Sequence, residues 1–249
     1  MDSTGQRTPP VEDRPEVELH LLGGFELRVG DVAVSVPMST RKLVAFLALR
    51  DRPVNRGFVA GNLWLDKSEH RAAANLRSAL WRLPHTGGEV VVTHGSDMAL
   101  SDGVHVDTRL IAALSRQPAD SDVDVSVPSG ALLPDWTDDW LVLDRERLRQ
   151  LQLNALEVRS DRLIGRGSLG PAIDSAWAAI SIEPLRESAH RCLVRAHLAA
   201  GNAVEALRHY RFFAGYLADE VGLAPSPAMD VLVAALLAHT GARPRAVTV

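Results

Sequence analysis

A 34-residue period in the C-terminal half is the feature that most constrains how this chain folds. Gly167 and Gly201 lie 34 positions apart, and in the same register Ala172 falls on Ala206. A period of this length, with small residues where helices cross and glycine in the turn, is typical of stacked pairs of antiparallel helices. The pattern therefore predicts an all-helical repeat domain, closed by a last helix that begins at Ser226.

The N-terminal half follows a different pattern, which predicts a small sheet and then three helices. Residues 17–37 alternate between apolar and polar as strands do, around a turn at Gly30-Asp31. The third helix is expected at residues 69–83. The signals for the helices follow in order: Ser39 or Thr40 caps the first and Pro53 ends it, Asn55 caps the second, Ser68 caps the third and Pro84 ends it.

A hairpin follows the third predicted helix. Strands are expected within residues 89–93 and 98–106, around a turn at residues 94–97, and a second turn is expected at Asp102-Gly103. A sheet, three helices and a hairpin make up the winged helix-turn-helix, whose third helix enters the major groove of DNA. The predicted fold class is therefore α+β, an N-terminal winged helix-turn-helix followed by an all-α, tetratricopeptide-like repeat domain.

These patterns divide the chain into four parts. Residues 1–16 are polar and proline-containing, so we expect a disordered leader. The winged-helix domain is expected at residues 17–107, the helical domain at 108–240 and a short tail at 241–249. The leader lacks the apolar core of a signal peptide, and no stretch approaches the roughly 18 apolar residues of a membrane span. With Cys192 as the single cysteine, we expect a cytoplasmic protein without a membrane partner.

Charge is distributed unevenly along the chain. The formal net charge is −4. Between Ser39 and His85, nine basic residues stand against three acidic ones, which gives this segment +6 and leaves −10 for the remainder. A sign asymmetry of this kind is typical of a module that binds a polyanion beside a domain that does not. The positive segment coincides with the three predicted helices, so we expect double-stranded DNA as its partner.

The third predicted helix has two chemically different faces. At about 100° per residue, Ala72 and Leu76 fall on one face, whereas Arg77 and Ser78 fall on the other. Arginine is the commonest reader of guanine, and this outer face has no acid. Trp81 suits either a contact with the DNA backbone or a cover for the hairpin, and the sequence does not separate the two. The residues predicted to contact DNA are Arg71, Asn75, Arg77, Ser78, Trp81 and Arg82 of this helix, Arg41 of the first helix and His94 of the hairpin.

Four motifs suggest other chemistry, but each has a simpler structural explanation. Residues 165–170 match G-x-G-x-x-G, yet a helix precedes them where a dinucleotide loop needs a strand, so a repeat turn is predicted. Residues 135–140 lack the later Gly and Glu of a calcium loop, which favours an acidic helix N-terminus. His94, Ser96 and Asp97 lie too close together for a catalytic triad, and Cys192 falls among apolar helix positions. We therefore expect a protein that is not an enzyme, with no catalytic residue, cofactor or metal.

Several stretches, taken together, resemble one family. They are LLGGFEL (21–27), TRKLVAFLAL (40–49), VNRGFVAGNLW (54–64), ANLRSALWRL (74–83), VHVDTRLIAAL (104–114), WLVLDRERLRQLQLNALE (140–157), EPLRESAHRCLVRAHLAAGNAVEALRHY (183–210) and EVGLAPSPAM (220–229). Their order and spacing resemble the antibiotic-regulatory (SARP) type of bacterial transcriptional regulator. The resemblance implies an OmpR-like winged helix joined to a bacterial transcriptional activator domain. It also implies a homodimer that binds direct-repeat promoter sites, contacts RNA polymerase holoenzyme and activates neighbouring genes of the secondary-metabolism type.

Two other functions remain open on the sequence alone. A protein-interaction scaffold is one, because tetratricopeptide grooves bind peptides and some winged helices have lost DNA binding. The basic outer face of the third helix favours DNA binding, whereas acids on that face would have favoured the scaffold. A ligand sensor built on the helical domain is the other alternative, and no feature of the sequence points to it.

Overall fold

The structure is a computed structural model in which residues 16–84, 89–118 and 124–240 are described. The described strands are β1 (Val17–His20), β2 (Glu26–Val29), β3 (Val32–Ala33), β4 (Val54–Asn55), β5 (Val91–His94), β6 (Asp97–Leu100) and β7 (Val104–Val106). The described helices are α1 (Met38–Ala48), α2 (Arg56–Leu63), α3 (Glu69–Trp81), α4 (Asp107–Leu114), α5 (Leu141–Gly165), α6 (Leu169–Ile182), α7 (Glu187–Ala199), α8 (Ala203–Val221) and α9 (Pro227–Thr240).

The chain divides into two compact units. The first comprises the residues up to Arg109 together with Gly130–Leu141, and the second comprises Leu110–Ser129 and the residues from Val142 onward. The sequence predicts one boundary, after residue 107, whereas the structure takes residues 130–141 back into the first unit. Apart from Glu16, the predicted leader and tail lie outside the described residues.

The first unit contains two small sheets. One has the strand order β3-β2-β1-β7, with β1 antiparallel to β2 and parallel to β7, and the other has the order β4-β6-β5. Residues 98–106, predicted as strand with a turn at Asp102-Gly103, form two strands on either side of that turn. The first, β6, closes the hairpin, and the second, β7, joins the other sheet. A turn explains the break, since the Val104 N–H donates to the Ser101 carbonyl at 3.1 Å. The two-residue strand β4 is too short to give a recognisable alternation in the sequence.

Three helices complete the winged helix-turn-helix, and their caps differ partly from the predicted ones. Asn55 caps α2 as predicted, and its side chain accepts a backbone N–H two residues later at 2.8 Å. Pro37, not Ser39 or Thr40, is the N-cap of α1. Thr40 is instead buried, and its hydroxyl donates to the carbonyl of Ala79 in α3 at 3.1 Å. The predicted cap is wrong because this hydroxyl bonds a neighbouring helix, which ties α1 to α3.

Residues 130–141, called the return segment below, pack against β1 and the loop that follows it. The Leu133 N–H donates to the Leu21 carbonyl at 2.9 Å, and the Gly23 N–H donates to a carbonyl of the return segment at the same distance. Trp136 stacks on Phe25, with ring centroids 6.1 Å apart. The segment therefore completes the core of the first unit. Its buried apolar side chains are Leu132, Leu133, Trp136 and Leu141.

Gly130, at the start of the return segment, occupies a position that only glycine fills without strain. Its φ is +110°, and an added Cβ would lie 3.1 Å from the backbone nitrogen of Gly23. We expect Gly130→Ala to lower the free energy of unfolding of the first unit by about 2 kcal/mol. Hydrogen exchange followed by mass spectrometry checks this, because it reports each unit separately. Gly61→Ala is the control, since Gly61 is helical and its Cβ would meet open space. Equal rates of hydrogen exchange in the two variants would show that position 130 does not require glycine.

The second unit shows the predicted repeat in its backbone geometry. Gly167 joins α5 to α6 and Gly201 joins α7 to α8, and both have a φ of +74°. In each turn the glycine N–H donates to the carbonyl three residues earlier, at 3.0 Å. Ala172 and Ala206, which share the same spacing, are fully buried where helices cross. The 34-residue period is therefore a structural repeat, and the predicted helical repeat domain is confirmed.

Apolar side chains fill the space between the repeat helices. One cluster joins α5, α6 and α7 and includes Leu153 and Leu193, and another joins α7, α8 and α9 and includes Phe213 and Met229. The last helix therefore closes the repeat, as the sequence predicts. Cys192 lies in the first cluster, where burial raises the pKa of its thiol to about 11. Its role is packing, because a thiol with so high a pKa is a poor nucleophile.

Candidate nucleic-acid interface

The third helix of the winged helix-turn-helix buries one face and exposes the other. Ala72, Leu76 and Ala79 are at most 3% exposed, and the helix packs against α1 and α2. Arg77 and Ser78 point away from this core and are exposed. The 100° period places these faces correctly because it depends only on local helix geometry. The outer face of α3 is defined below as Arg71, Arg77, Ser78, Trp81 and Arg82.

The ends of α3 lie close to the predicted ones. Ser68 occupies the N-cap position, although its side chain forms no capping hydrogen bond, and its carbonyl accepts the first helical N–H at 2.8 Å. The helix ends at Trp81 and Arg82 is its C-cap, two residues before Pro84. Proline cannot continue a helix, so the end is set by the sequence.

Asn75 and Trp81, two of the predicted DNA contacts on α3, differ in exposure. Asn75 is half-buried, which places it at the edge of the outer face and not at its centre. Trp81 is 78% exposed. A side chain that is so accessible does not cover the hairpin, so of the two interpretations open on the sequence only a surface contact remains.

The arginines of the outer face have no partner in the part of the protein that the structure describes. Among the described residues, Arg71, Arg77 and Arg82 form no hydrogen bond or ion pair. Many arginines of the second unit differ, because each has an acidic partner within 4 Å. These are Arg149, Arg159, Arg186, Arg191, Arg195 and Arg208. An arginine face without acids keeps its charge and its donors for an external anion.

Two basic residues of α1 are bound within their own unit. The Nε of Arg41 donates to the Val36 carbonyl at 2.8 Å, and its guanidinium lies 5.8 Å from the ring centroid of Phe25. Lys42 forms an ion pair with Asp138 of the return segment at 2.5 Å. Neither residue looks bound in the sequence, because Phe25 and Asp138 are distant along the chain and the acceptor at Val36 is a backbone carbonyl, which no side-chain pattern marks. The charge of +6 counted over residues 39–85 therefore overstates what this unit offers to a polyanion.

The hairpin of β5 and β6 carries His94 at its tip. His94 pairs with Asp97 in the hairpin register, and Gly95 and Ser96 form the turn, with a φ of +60° at the glycine. The turn is attached to α2, since the Arg56 N–H donates to the Ser96 carbonyl at 2.8 Å. His94 is exposed. The structure therefore places the candidates on three elements, with six on or beside α3, Arg41 on α1 and His94 on the hairpin.

Sequence reasoning misses a cleft between α2 and α3. Its lining combines apolar side chains with the basic residues Arg56, Lys67 and Arg77. No local signal could have indicated it, because it forms only when the two helices pack. Its small residues, among them Gly61 and Ala73, are indistinguishable in the sequence from ordinary helix-packing positions.

The remaining motifs take structural positions. Residues 165–170 run from the last residue of α5 into the first turn of α6, as predicted for a repeat turn. Residues 135–140 end the return segment, and the Asp138 carbonyl accepts the Leu141 N–H where α5 begins. Within the described ranges, no group of three His, Cys, Asp or Glu side chains is placed to hold a metal ion. None of the helices in the described part of the chain is both long and apolar enough to span a membrane.

Comparison with known proteins identifies the C-terminal half of the chain. Residues 126–237 match the family model of the bacterial transcriptional activator domain. The match begins before the return segment and extends into α9, so it includes parts of both structural units.

Two relatives cover most of the chain. Regulatory protein AfsR of Streptomyces coelicolor is 26% identical in an alignment covering 82% of this chain and 22% of AfsR. EmbR of Mycobacterium tuberculosis, solved in complex with a low affinity phosphopeptide, matches at a TM-score of 0.67 and 22% identity, over 90% of this chain and 66% of that one. This chain therefore corresponds to only part of each relative. The likeness to EmbR shows a shared fold, a winged helix-turn-helix followed by an all-α repeat domain. Residues 126–237 therefore form a bacterial transcriptional activator domain, and over most of its length the chain is similar to the regulatory protein AfsR.

Proposed function

We propose that this protein is a sequence-specific DNA-binding regulator of transcription, in which α3 enters the major groove and the second unit provides partner surfaces. The observation that carries the proposal is the outer face of α3. It combines three arginines that have no partner among the described residues with an exposed tryptophan. A face of this kind on the third helix of a winged helix-turn-helix is where this fold reads DNA.

The arginines of the outer face have different roles in this proposal. Arg77 lies in the middle of the helix and reaches base edges, where arginine binds guanine through two hydrogen bonds. Arg71 and Arg82 lie near the two ends of α3, where phosphates pass on either side of the groove. Ser78 and Asn75 add polar contacts, and Asn75 contributes less because it is half-buried. His94 at the hairpin tip lies against the neighbouring backbone.

The assembly that the family resemblance implies forms part of the proposal. A homodimer on direct-repeat promoter sites, in contact with RNA polymerase holoenzyme, activates neighbouring genes in the cytoplasm. The second unit supports a partner-binding role, because it exposes apolar side chains that its own core does not use. Leu143 is 82% exposed and Val231 is 75% exposed. Unlike the outer face of α3, this unit pairs many of its arginines with acids, which makes it the poorer candidate for contact with DNA.

Substitution of two outer-face arginines should separate base reading from phosphate contact. We expect Arg77→Ala to weaken binding to the operator by about 1–3 kcal/mol and to reduce discrimination against other sequences. We expect Arg82→Ala to weaken operator and scrambled duplexes alike and to lower the salt slope by about one unit. The measurement is a salt series of binding titrations, on an operator selected from a random duplex pool and on its scrambled form.

Arg208→Ala is the matched control for these titrations. Arg208 is an exposed arginine of the second unit that pairs with Glu205, so its loss should leave DNA binding unchanged. Circular dichroism establishes that each variant is folded. If folded Arg77→Ala and Arg82→Ala both bind the operator like the wild type, α3 does not read DNA. The protein-interaction scaffold would then be the better function.

A further inference from the structure

A cleft of about 350 Å³ lies between α2 and α3. Its floor is apolar, since Ala60, Ala72 and Leu76 are each at most 4% exposed and Trp64 and Leu80 add half-buried surface. Pockets that bind small organic molecules have volumes from about 300 Å³ and combine apolar walls with a few polar groups. The size and the lining of this cleft meet both conditions.

The rim of the cleft is mainly cationic. Arg56, Lys67 and Arg77 line it, against one acid, Glu69. Lys67 pairs with Asp66 at 2.9 Å on the exposed surface, where water screens the pair. Arg56 and Arg77 form no ion pair among the described residues. The cleft thus joins an apolar floor to two guanidinium groups whose charge no acid compensates.

Arg56 supplies a second and independent observation. Its Nε is buried and has no hydrogen-bond partner among residues 16–84, 89–118 and 124–240. Buried polar atoms without a partner are rare in folded proteins, and each needs an explanation. An anion bound in the cleft beside this guanidinium would offset part of that desolvation cost through its charge. Burial, charge and shape therefore all favour the same class of ligand.

We propose that this cleft binds a small amphipathic anion, with an apolar body on the floor and an acidic group between Arg56 and Arg77. A bound ligand should also affect DNA binding, an inference that rests on the function proposed above. Arg77 lines the cleft and belongs to the outer face of α3. A bound anion holds its guanidinium and places a negative charge beside the DNA-binding face, so the ligand weakens DNA binding.

Two fluorescent probes test the site without DNA. The first is 1-anilinonaphthalene-8-sulfonate, and the second is N-phenyl-1-naphthylamine, which has the same rings without the sulfonate. On the full chain we expect saturable one-to-one binding of the sulfonate, at least tenfold tighter than binding of the neutral probe. Arg56→Gln should remove most of this preference and leave the affinity for the neutral probe unchanged.

A variant that fills the cleft makes the test independent of charge. Gly61 lines the cleft, and a Cβ added there meets nothing within 4 Å, so the backbone accepts a side chain and we expect Gly61→Leu to occupy part of the cleft. It should weaken binding of the sulfonate probe at least tenfold. Gly215→Leu is the matched control, because Gly215 is also an exposed helical glycine with open space and lies in the second unit. Equal affinity for the two probes, or unchanged binding in Gly61→Leu, overturns the site.

A final measurement tests the consequence for DNA. Saturating sulfonate probe should weaken binding of a short random-sequence duplex at least threefold in the wild type and leave Gly61→Leu unaffected. An unchanged DNA affinity in the presence of bound probe overturns the regulatory link. A chain that binds the probe as expected but binds no DNA without it leaves the site supported and contradicts the proposed function. The two failures are therefore distinguishable.

Discussion

Trp136→Ala should lower the free energy of unfolding of the first unit by about 3–5 kcal/mol. Trp136 is 8% exposed and stacks on Phe25. Its replacement by alanine therefore leaves a cavity beside β1 and removes a large apolar contact. Hydrogen exchange of the β1 and β2 amides in the full chain measures the loss directly, because these amides exchange when the first unit opens.

Trp81→Ala is the matched control for that measurement. Trp81 belongs to the same unit but is 78% exposed, so its removal should change the free energy of unfolding by less than about 0.5 kcal/mol. Equal and small effects of the two substitutions would mean that the return segment does not contribute to the core. The boundary predicted after residue 107 would then describe the folding unit better than the division seen in the structure.

The return segment illustrates what the sequence could not reveal. It contains Pro134 and follows a polar stretch, so it has the composition of a linker. Its place in the first unit depends on an irregular pairing, a single bridge between Leu22 and Leu132, and on a leucine with positive φ, Leu133. Neither feature gives a periodic pattern. Prediction from periodicity therefore fails here for a physical reason, since long-range contacts and not local propensity hold the segment.

The helical repeat and the faces of α3 could be predicted because they depend on local rules. The spacing of Gly167 and Gly201 fixes two turns of equal geometry, and the 100° period fixes which side of α3 is buried. For the candidate site, the sequence predicts only which face of α3 is exposed. Arg41 and Lys42 look like free cations in the sequence, but tertiary partners hold both. The cleft between α2 and α3 depends entirely on packing.

A buried histidine pair in the second unit makes its stability depend on pH. The Nε2 of His190 lies 2.8 Å from the Pro184 carbonyl, which can only accept, so Nε2 carries the proton. Its Nδ1 is then the acceptor for the Nε2–H of His209, at 2.9 Å. Burial lowers the pKa of both histidines, and for His209, with His190 and His197 nearby, the pKa falls to about 4. Glu187 acts in the opposite direction and favours the protonated form of His190.

Acidification from pH 7 to pH 4 should therefore destabilise the second unit by up to about 3 kcal/mol. An unfolded histidine has a pKa near 6.5, so between that pH and about 4 the unfolded chain binds more protons than the folded one. Stability is complete above pH 6.5 and falls as the pH decreases through this window. Hydrogen exchange of α7 and α8 amides at pH 7, 5.5 and 4.5, corrected for intrinsic rates, measures the change.

His209→Gln keeps a donor for His190 but does not titrate in this pH range. The variant should therefore be less stable than the wild type at pH 7, and its stability should depend less on pH. A variant that loses stability with acid as steeply as the wild type would show that carboxylates elsewhere in the unit, and not this pair, cause the effect.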